Sequence, residues 1–474
     1  MTTPVTDLEV RNPRTGQCDY RFTLATSAIV DTKARELRRH QPEWQALGLA
    51  ARADAMRRLA DAFRSRRDEL ISVLMTDTGR LAQSVLEVDA ITPMIQLQIE
   101  FAKAVLAEQL PQTSFYPSIT ARSQLIPFPL VGIISPWNFP LLLAMIDSIP
   151  ASLAGCAVLY KPSEVTPRYT EVLAACFSDV PELKHVTSIV RGAGDTGMAV
   201  VDAVDAVCFT GSVRTGRLVA EQAARNFIPA FLEMGGKDPA IVLASADIDR
   251  ASTILLRASV AATGQACQSV ERIYVARPVY DDFVEMIVAK AASVQLNCGD
   301  INQGQLGPLI FAAQAKTIVA HVADAVEKGA VVRCGGRIIE EGGIWYPATV
   351  LTNVTHEMII MREETFGPIM PIMAFDTVEE AIALANDSRY GLSANVFAES
   401  ESEALPVAHR LNGGVISINE ASLSSMVYEF ESEPFGLSGL GRSRTGPEAI
   451  KRFFRKKLIL TDASENPRGI HAHR

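Results

Sequence analysis

The sequence predicts an α/β protein of parallel sheets covered by helices on both faces. From about residue 125 onward, short β-branched runs alternate with helical stretches. Those runs, such as Ala157–Tyr160 and Ala240–Leu243, are apolar throughout, the pattern of strands buried on both faces. At 474 residues the chain is roughly three times a common domain length, so two or three compact units are expected.

The elements follow in order. Residues 45–110 show helical periodicity, with Ala and Leu alternating with Arg, Glu and Asp over Leu47–Leu74 and again over Leu81–Leu110. Ser123 to Ile146 carries no charge over 24 residues, long enough for a membrane span. Pro127, Pro129, Pro136 and Pro140 fall inside it. Each costs about 3 kcal/mol in a helix interior, so a spanning helix is excluded. The segment reads as extended over Leu125–Ser135, then a loop, then a helix from about Leu141. Strand Ala157–Tyr160 precedes a helix over Arg168–Phe177. Thr187–Val190 precedes one over Gly194–Val200, and Ala206–Thr210 one over Arg214–Ala224. A second series runs through Ala240–Leu243, Arg272–Val275, Tyr280–Ala292 and Ala312–Glu327. Two α/β domains are therefore expected to meet near residue 233. The polar tail after Asp462 is expected to fray.

Composition narrows the class. With 48% hydrophobic residues the chain can bury large cores. A formal charge of −9, with Lys and Arg spread along the chain, argues against nucleic acid as a main partner. Met1–Val10 lacks a basic stretch followed by an apolar one, so no secretory signal is expected. Seven cysteines, odd in number and scattered from Cys18 to Cys334, read as reduced thiols of a cytoplasmic protein.

Several segments carry residues suited to chemistry. Cys267 ends Thr263-Gly264-Gln265-Ala266-Cys267, where a glycine permits a tight backbone. A free thiol has a pKa near 8.5, so a nucleophilic cysteine needs help at neutral pH. Most cysteines are small core hydrophobes, and most glutamates lie at the surface. Glu233 departs from that rule: it sits in Phe231-Leu232-Glu233-Met234-Gly235-Gly236, an apolar stretch that favours burial and a raised pKa. Asn138, in Pro136-Trp137-Asn138-Phe139-Pro140, either caps the helix that follows or offers a neutral amide to a developing oxyanion. Lys161-Pro162-Ser163-Glu164 follows a strand, at the end that faces the ligand crevice in parallel sheets. Gly211 and Ser212 open a helix whose first amides can meet a pyrophosphate. Gly192-Ala193-Gly194-Asp195-Thr196-Gly197 matches a dinucleotide fingerprint, but the acidic residue expected about 20 positions on is not evident.

Taken together and in this order, the segments closely resemble the aldehyde dehydrogenase superfamily, with matches from about residue 125 to 445. The carrying motifs are Pro-Trp-Asn-Phe-Pro at 136–140, Glu-Met-Gly-Gly-Lys at 233–237 for the family's Glu-Leu-Gly-Gly-Lys, and Gly-Gln-x-Cys at 264–267. The fourth is Glu-x-Phe-Gly-Pro at 364–368. The resemblance implies a Rossmann-like cofactor-binding domain (1–108 and 128–233), a catalytic domain (234–435), and a small β oligomerisation arm with tail (109–127 and 450–474). The arm would pair residues near Leu110–Pro127 with Lys456–Thr461. It also implies Cys267 as nucleophile and Glu233 as the base that activates water. Asn138 would stabilise the oxyanion together with the Cys267 backbone N–H. Trp137, Lys161, Glu164, Gly192, Gly211, Ser212, Glu364 and Phe366 would line the cofactor, with the Gly192 glycines only passing near the adenine side. The implied reaction oxidises an aldehyde to an acid through a thiohemiacetal and a thioester, with no metal and in a homodimer or homotetramer. Glu164 on the ribose would repel a 2′-phosphate, so NAD is expected over NADP.

Family comparison puts Leu142, Leu143, Ile146, Ala266, Gln268 and Phe435 around the substrate tunnel. Their mostly apolar character leans toward an uncharged aliphatic, aromatic or larger hydrophobic aldehyde. The alternatives are a semialdehyde dehydrogenase, a CoA-acylating relative, which commonly lacks the base, and a non-catalytic scaffold. Three departures stand out. Asp147 takes a place where many relatives carry Lys, the segment Pro434–Gly439 is about two residues short, and Cys156 replaces a common Asn.

Overall fold

The computed structural model describes residues 7–107 and 110–464; the tail expected to fray lies almost wholly outside them. Two sheets organise the chain. The first has six strands in the order Gly439–Leu440, Ala230–Met234, Ala206–Gly211, Leu130–Ile134, Ala157–Lys161, Thr187–Ile189. All neighbours are parallel except the edge strand Gly439–Leu440. Every residue of Leu130–Ile134 and Ala157–Lys161 is buried, which is why these strands carry no polar alternation. The second sheet has seven strands in the order Val331–Cys334, Thr349–Thr352, Ile369–Phe375, Val270–Ala276, Asp238–Val242, Ser393–Phe397, Val415–Ile418. Only its edge Val331–Cys334 pairs antiparallel. The chain crosses from one sheet to the other at Gly235-Gly236-Lys237, between the strand holding Glu233 and strand Asp238–Val242.

A third sheet forms the arm. Phe454–Asp462 pairs antiparallel with Ile119–Pro127, in register from Phe454↔Pro127 to Asp462↔Ile119, and Gln112–Thr113 flanks it. This is the pairing the resemblance implied. Just before it, Ile450 and Phe453 return to the first domain and are fully buried in its core.

The helical N-terminal region differs from the expected one. A helix over Ser27–Ala46, capped by the Thr26 hydroxyl, precedes the stretch in which periodicity was read, and it contains Pro42. The stretch Leu47–Leu74 is divided between Gly48–Ser65 and Arg67–Thr78, with Arg66 at φ −108°, ψ 19° between them. The next helix, Leu81–Val105, stops short of Leu110. The extended run Leu125–Ser135 is two strands in different sheets, broken at Phe128-Pro129, where proline offers no N–H to a ladder. Among the described residues no helix is long and apolar enough to cross a membrane, and all seven cysteines are free.

Candidate active site

In the first sheet the strand order reverses between Leu130–Ile134 and Ala206–Gly211. Crevices of doubly wound sheets open at the carboxyl ends of strands at such a switch. Pro136–Asn138 follows the first of these strands and Gly211-Ser212 ends the second, so both segments border the crevice. Lys161, at the end of the neighbouring strand, is buried, and its ammonium donates to Glu164 Oε2 at 3.0 Å. Glu164 is the more open partner, with 38% of its side chain exposed. The Ser212 hydroxyl caps helix Val213–Arg225 by accepting from the Thr215 amide. Gly192 lies beyond edge strand Thr187–Ile189, where an added Cβ would meet Thr196 Oγ1 at 2.0 Å. Its bareness is thus explained by the turn into helix Gly194–Ala203.

Asn138 is buried, and its amide Nδ2 donates to the Gln265 carbonyl at 3.0 Å. Two roles were open for it, and the structure shows that the cap comes from elsewhere. Helix Pro140–Ala154 takes no side-chain cap from its own N-terminal residue. The Glu87 carboxylate instead accepts from the Leu141 and Leu142 amides at 3.0 and 3.1 Å. Desolvation pushes Glu87 up to about 7 against those bonds. Asn138 is therefore free of capping, and one of its two N–H groups remains unassigned. Arg80, fully buried, locks the loop from behind by donating to the Asn138 carbonyl and, at 3.3 Å, to the Ala262 carbonyl.

Cys267 follows the 3-10 turn Ala261–Gly264, whose Ala262 and Thr263 take positive φ of 54° and 60°. Gly264 is required here: at φ +67° its added Cβ would lie 2.2 Å from the Gly367 backbone. That contact brings the cysteine motif against the Phe-Gly-Pro motif. The Gln265 side chain fastens the same turn, accepting from the Ile310 amide at 2.9 Å and donating to the Ala262 and Pro308 carbonyls. Cys267 is half-buried. Burial, with the nearby Glu364 and Asp238 carboxyls, pushes its thiol up to about 12. Burial thus favours the neutral thiol over the thiolate.

Glu233 is half-buried on strand Ala230–Met234, paired with Thr210 on one side and Gly439 on the other. Burial raises its pKa, the Arg444 and Arg452 guanidiniums oppose the rise, and Asp147 adds to it. Glu364 packs against the chain crossing, where a Cβ on Gly235 would overlap its carboxylate at 1.9 Å. Desolvation and the Glu271 charge raise the Glu364 pKa well above the ordinary carboxylate range. Trp137 and Phe366 meet edge to face at 5.4 Å, and Phe311 lies 6.0 Å from Trp137.

Two positioning features escaped the sequence. Glu271, buried on strand Val270–Ala276, accepts from the Thr365 and Phe366 amides at 2.8 and 2.7 Å and from the Lys237 ammonium at 2.6 Å. It holds Phe366 at a left-handed φ of 54°. A signal existed: a Glu-Arg pair inside an otherwise apolar run must find partners when the strand is buried. The second feature concerns Asp147. It is buried, with Oδ2 accepting from Arg444 at 2.7 Å and Oδ1 from Arg452 at 2.8 Å. Burial alone would raise its pKa, but the two guanidiniums overcome this and hold it below the usual range.

Around the expected tunnel, Leu142 and Ile146 are buried and Leu143, Ala266 and Gln268 are half-buried, while Phe435 is exposed. The short segment at the rim links a separate two-stranded pair to the first sheet. Phe435–Gly436 pairs with Tyr390–Gly391, and the Ser438 carbonyl accepts from the Met234 amide at 2.8 Å. Cys156 packs in the first core, and burial drives its thiol pKa upward.

Comparison with known proteins agrees with this architecture. The model of the "Aldehyde dehydrogenase family" matches residues 2–459. A "Putative succinate-semialdehyde dehydrogenase [NADP(+)]" of Mycolicibacterium smegmatis is 35% identical, covering 98% of this chain and 92% of its own. The solved structure of "Putative Aldehyde Dehydrogenase PutA" from Anabaena variabilis is 49% identical with a TM-score of 0.96, over 98% of this chain and 99% of that one. Betaine aldehyde dehydrogenase from Staphylococcus aureus, solved with NAD+, is 29% identical with a TM-score of 0.91, over 98% and 93%. The chain belongs to the aldehyde dehydrogenase family and is an NAD(P)-dependent enzyme that oxidises an aldehyde to an acid through a cysteine thioester.

Proposed function

We propose that Cys267 is the nucleophile, Glu233 the base and Asn138 the oxyanion donor of this reaction, with NAD as the preferred cofactor and an uncharged, largely apolar aldehyde as substrate. The observation that carries the reading is the bond from Asn138 Nδ2 to the Gln265 carbonyl, two residues before Cys267. With one N–H held by protein, the other is aimed rather than free to rotate.

The donor set fits a dinucleotide. A buried ammonium and a more open carboxylate, Lys161 and Glu164, suit ribose hydroxyls. The Val213 and Arg214 amides of helix Val213–Arg225, left over by the Ser212 cap on Thr215, suit a pyrophosphate. The Trp137–Phe366 pair suits a flat ring, and the acidic Glu164 favours NAD over NADP. When bound, NAD supplies the hydride acceptor. Glu233, whose proton affinity burial has raised, takes the Cys267 proton as sulfur adds to the aldehyde carbon. Asn138 and the Cys267 amide hold the resulting oxyanion. After oxidation leaves a thioester on Cys267, Glu233 gives up the first proton to solvent and then draws another from water; hydroxide attacks the acyl carbon, and the C–S bond breaks to release the acid and the Cys267 thiolate. Retention of Glu233 favours water over CoA as acyl acceptor.

The domain boundaries 1–108 with 128–233, 234–435, and 109–127 with 450–474 belong to this reading. So does assembly into a homodimer or homotetramer through the arm, supported by Leu458 and Leu460, which are exposed at 57% and 60%. The apolar residues Leu142, Leu143 and Ile146 support an uncharged substrate. The name of the Mycolicibacterium relative favours a semialdehyde as second reading.

The test is NADH formation across aliphatic, aromatic and carboxylated aldehydes, with and without CoA, comparing kcat/KM for NAD and NADP. Cys267→Ala should abolish NADH production and leave NAD binding nearly intact. Substantial residual turnover in that variant would remove Cys267 from the mechanism.

A further inference from the structure

The buried group formed by Asp147, Arg444 and Arg452 holds one carboxylate against two guanidiniums, each bonded to a different oxygen of Asp147. Only 11% of the Arg444 side chain and 1% of the Arg452 side chain are exposed. One positive charge is thus left over in a place where water supplies little screening. A buried charge without a partner is expensive, so the excess needs a nearby anion.

The strand geometry says where that anion is. Phe231 and Glu233 are two residues apart on strand Ala230–Met234, so their side chains leave the same face of the sheet. The Arg452 guanidinium lies over the Phe231 ring at 5.2 Å, which puts the triad on the face of Glu233. Arg444 follows strand Gly439–Leu440, whose Gly439 pairs directly with Glu233. From the other side, Arg444 also donates to the Leu143 carbonyl at 3.4 Å, on the helix that carries Asp147. Its Nε is buried and has no partner, so the guanidinium is incompletely used by Asp147.

We infer that Arg444, seated by the aspartate it shares with Arg452, is a positioning residue that supplies the counter-charge for the anion passed between Cys267 and Glu233. The inference rests on the roles proposed above for those two residues. In the resting site the balancing anion is Glu233 as carboxylate. When Glu233 takes the Cys267 proton, the thiolate replaces it as the balancing anion until sulfur bonds to the aldehyde carbon, and the balance returns when Glu233 gives up that proton. No bond to carbon is made or broken by Arg444, and it keeps its own proton. The charged and titratable groups facing this pocket are Asp147, Cys208, Glu233, Cys267, Tyr428 and Arg452, with Glu364 and Asp238 beyond Cys267. Arg444 acts on Glu233, Cys208, Cys267 and Tyr428 in the same sense, favouring the anion.

Charge substitution separates this role from simple packing. Removing the cation makes Glu233 harder to ionise, so Arg444→Met should move the acid limb of the kcat–pH profile upward by about one unit. Removing the aspartate leaves two cations facing Glu233, so Asp147→Asn should move the same limb downward. Arg444→Lys, which keeps the charge, should keep the wild-type limb even if kcat falls. The pH dependence of iodoacetamide modification at Cys267, followed by peptide mass without NAD or aldehyde, should shift in the same directions. Opposite shifts in the two variants support the inference. Uniform loss at all pH values, or limbs that do not move, overturns it. Should Arg444→Met fail to fold, the contrast between Arg444→Lys and Asp147→Asn decides in the same way. A wild-type protein silent with every aldehyde would instead reject the proposed function, while the Cys267 modification profile still reports on Arg444.

Discussion

Replacing Glu271 by Gln tests how the Phe366 loop, proposed above to face the cofactor ring, is held. The carboxylate accepts three charge-assisted or backbone bonds, from Lys237, Thr365 and Phe366. An amide of the same shape can accept with one oxygen only, and its NH2 would face an N–H donor. It also leaves the Lys237 ammonium, 1% exposed, without its anion. Removing one partner of a buried ion pair costs about 3–5 kcal/mol, a large share of a typical stability of about 5–15 kcal/mol. The melting temperature should fall by roughly 3–5 °C. The sign of the pH effect is fixed. Burial already lowers the Lys237 pKa, and loss of Glu271 lowers it further, so the folded variant binds fewer protons than the unfolded chain. Its stability deficit should therefore shrink as pH rises from 7 to 9. Freed from the clamp, Phe366 can leave its left-handed φ, and Kd for NAD should rise in parallel. Lys237→Met in the same chain should restore part of the melting temperature but not the NAD affinity, because the loop amides still lack their acceptor. Scanning calorimetry and fluorescence titration with NAD read both quantities. A Glu271→Gln protein with wild-type melting temperature and Kd would refute the clamp.

Two further substitutions address the chemistry. Glu233→Gln should abolish the NADH burst as well as steady-state turnover in stopped-flow traces, since an amide can take a proton neither from the Cys267 thiol nor from water; unchanged steady-state turnover would assign the base elsewhere. Glu164→Ser should weaken NAD about tenfold, through loss of a bond on the order of 1.5 kcal/mol, and should spare NADP. An unmoved ratio of kcat/KM for the two cofactors would make Glu164 a plain turn residue.

The parts of this molecule legible in its sequence are those encoded locally. Apolar runs such as Ala157–Tyr160 announce buried parallel strands, and the motifs around Asn138, Glu233, Cys267 and Phe366 each occupy a few consecutive residues. What stayed hidden depends on partners far apart in the chain. Asp147 meets Arg444 and Arg452 across 297 and 305 residues. Arg80 reaches Ala262 across 182, and nothing near Arg80 marks it as a buried lock. The cap on helix Pro140–Ala154 comes from Glu87, 54 residues earlier, where a local reading had only Asn138 to offer. The helix Ser27–Ala46 was obscured by Pro42 and by a polar composition that gave its apolar stripe little contrast.

The return of Ile450 and Phe453 to the first core has a consequence for synthesis. Strand Ala230–Met234 completes most of that domain's sheet, yet the residues that close its hydrophobic interior are translated more than 200 positions later. At about 5–20 residues per second, the nascent domain waits on the order of 10–40 s with this pocket uncovered. Strand Gly439–Leu440, which seals the exposed side of the Glu233 strand, arrives in the same interval. Chains stalled or truncated before residue 439 would present both an apolar cavity and an unpaired strand edge, the two surfaces that chaperones and aggregation compete for.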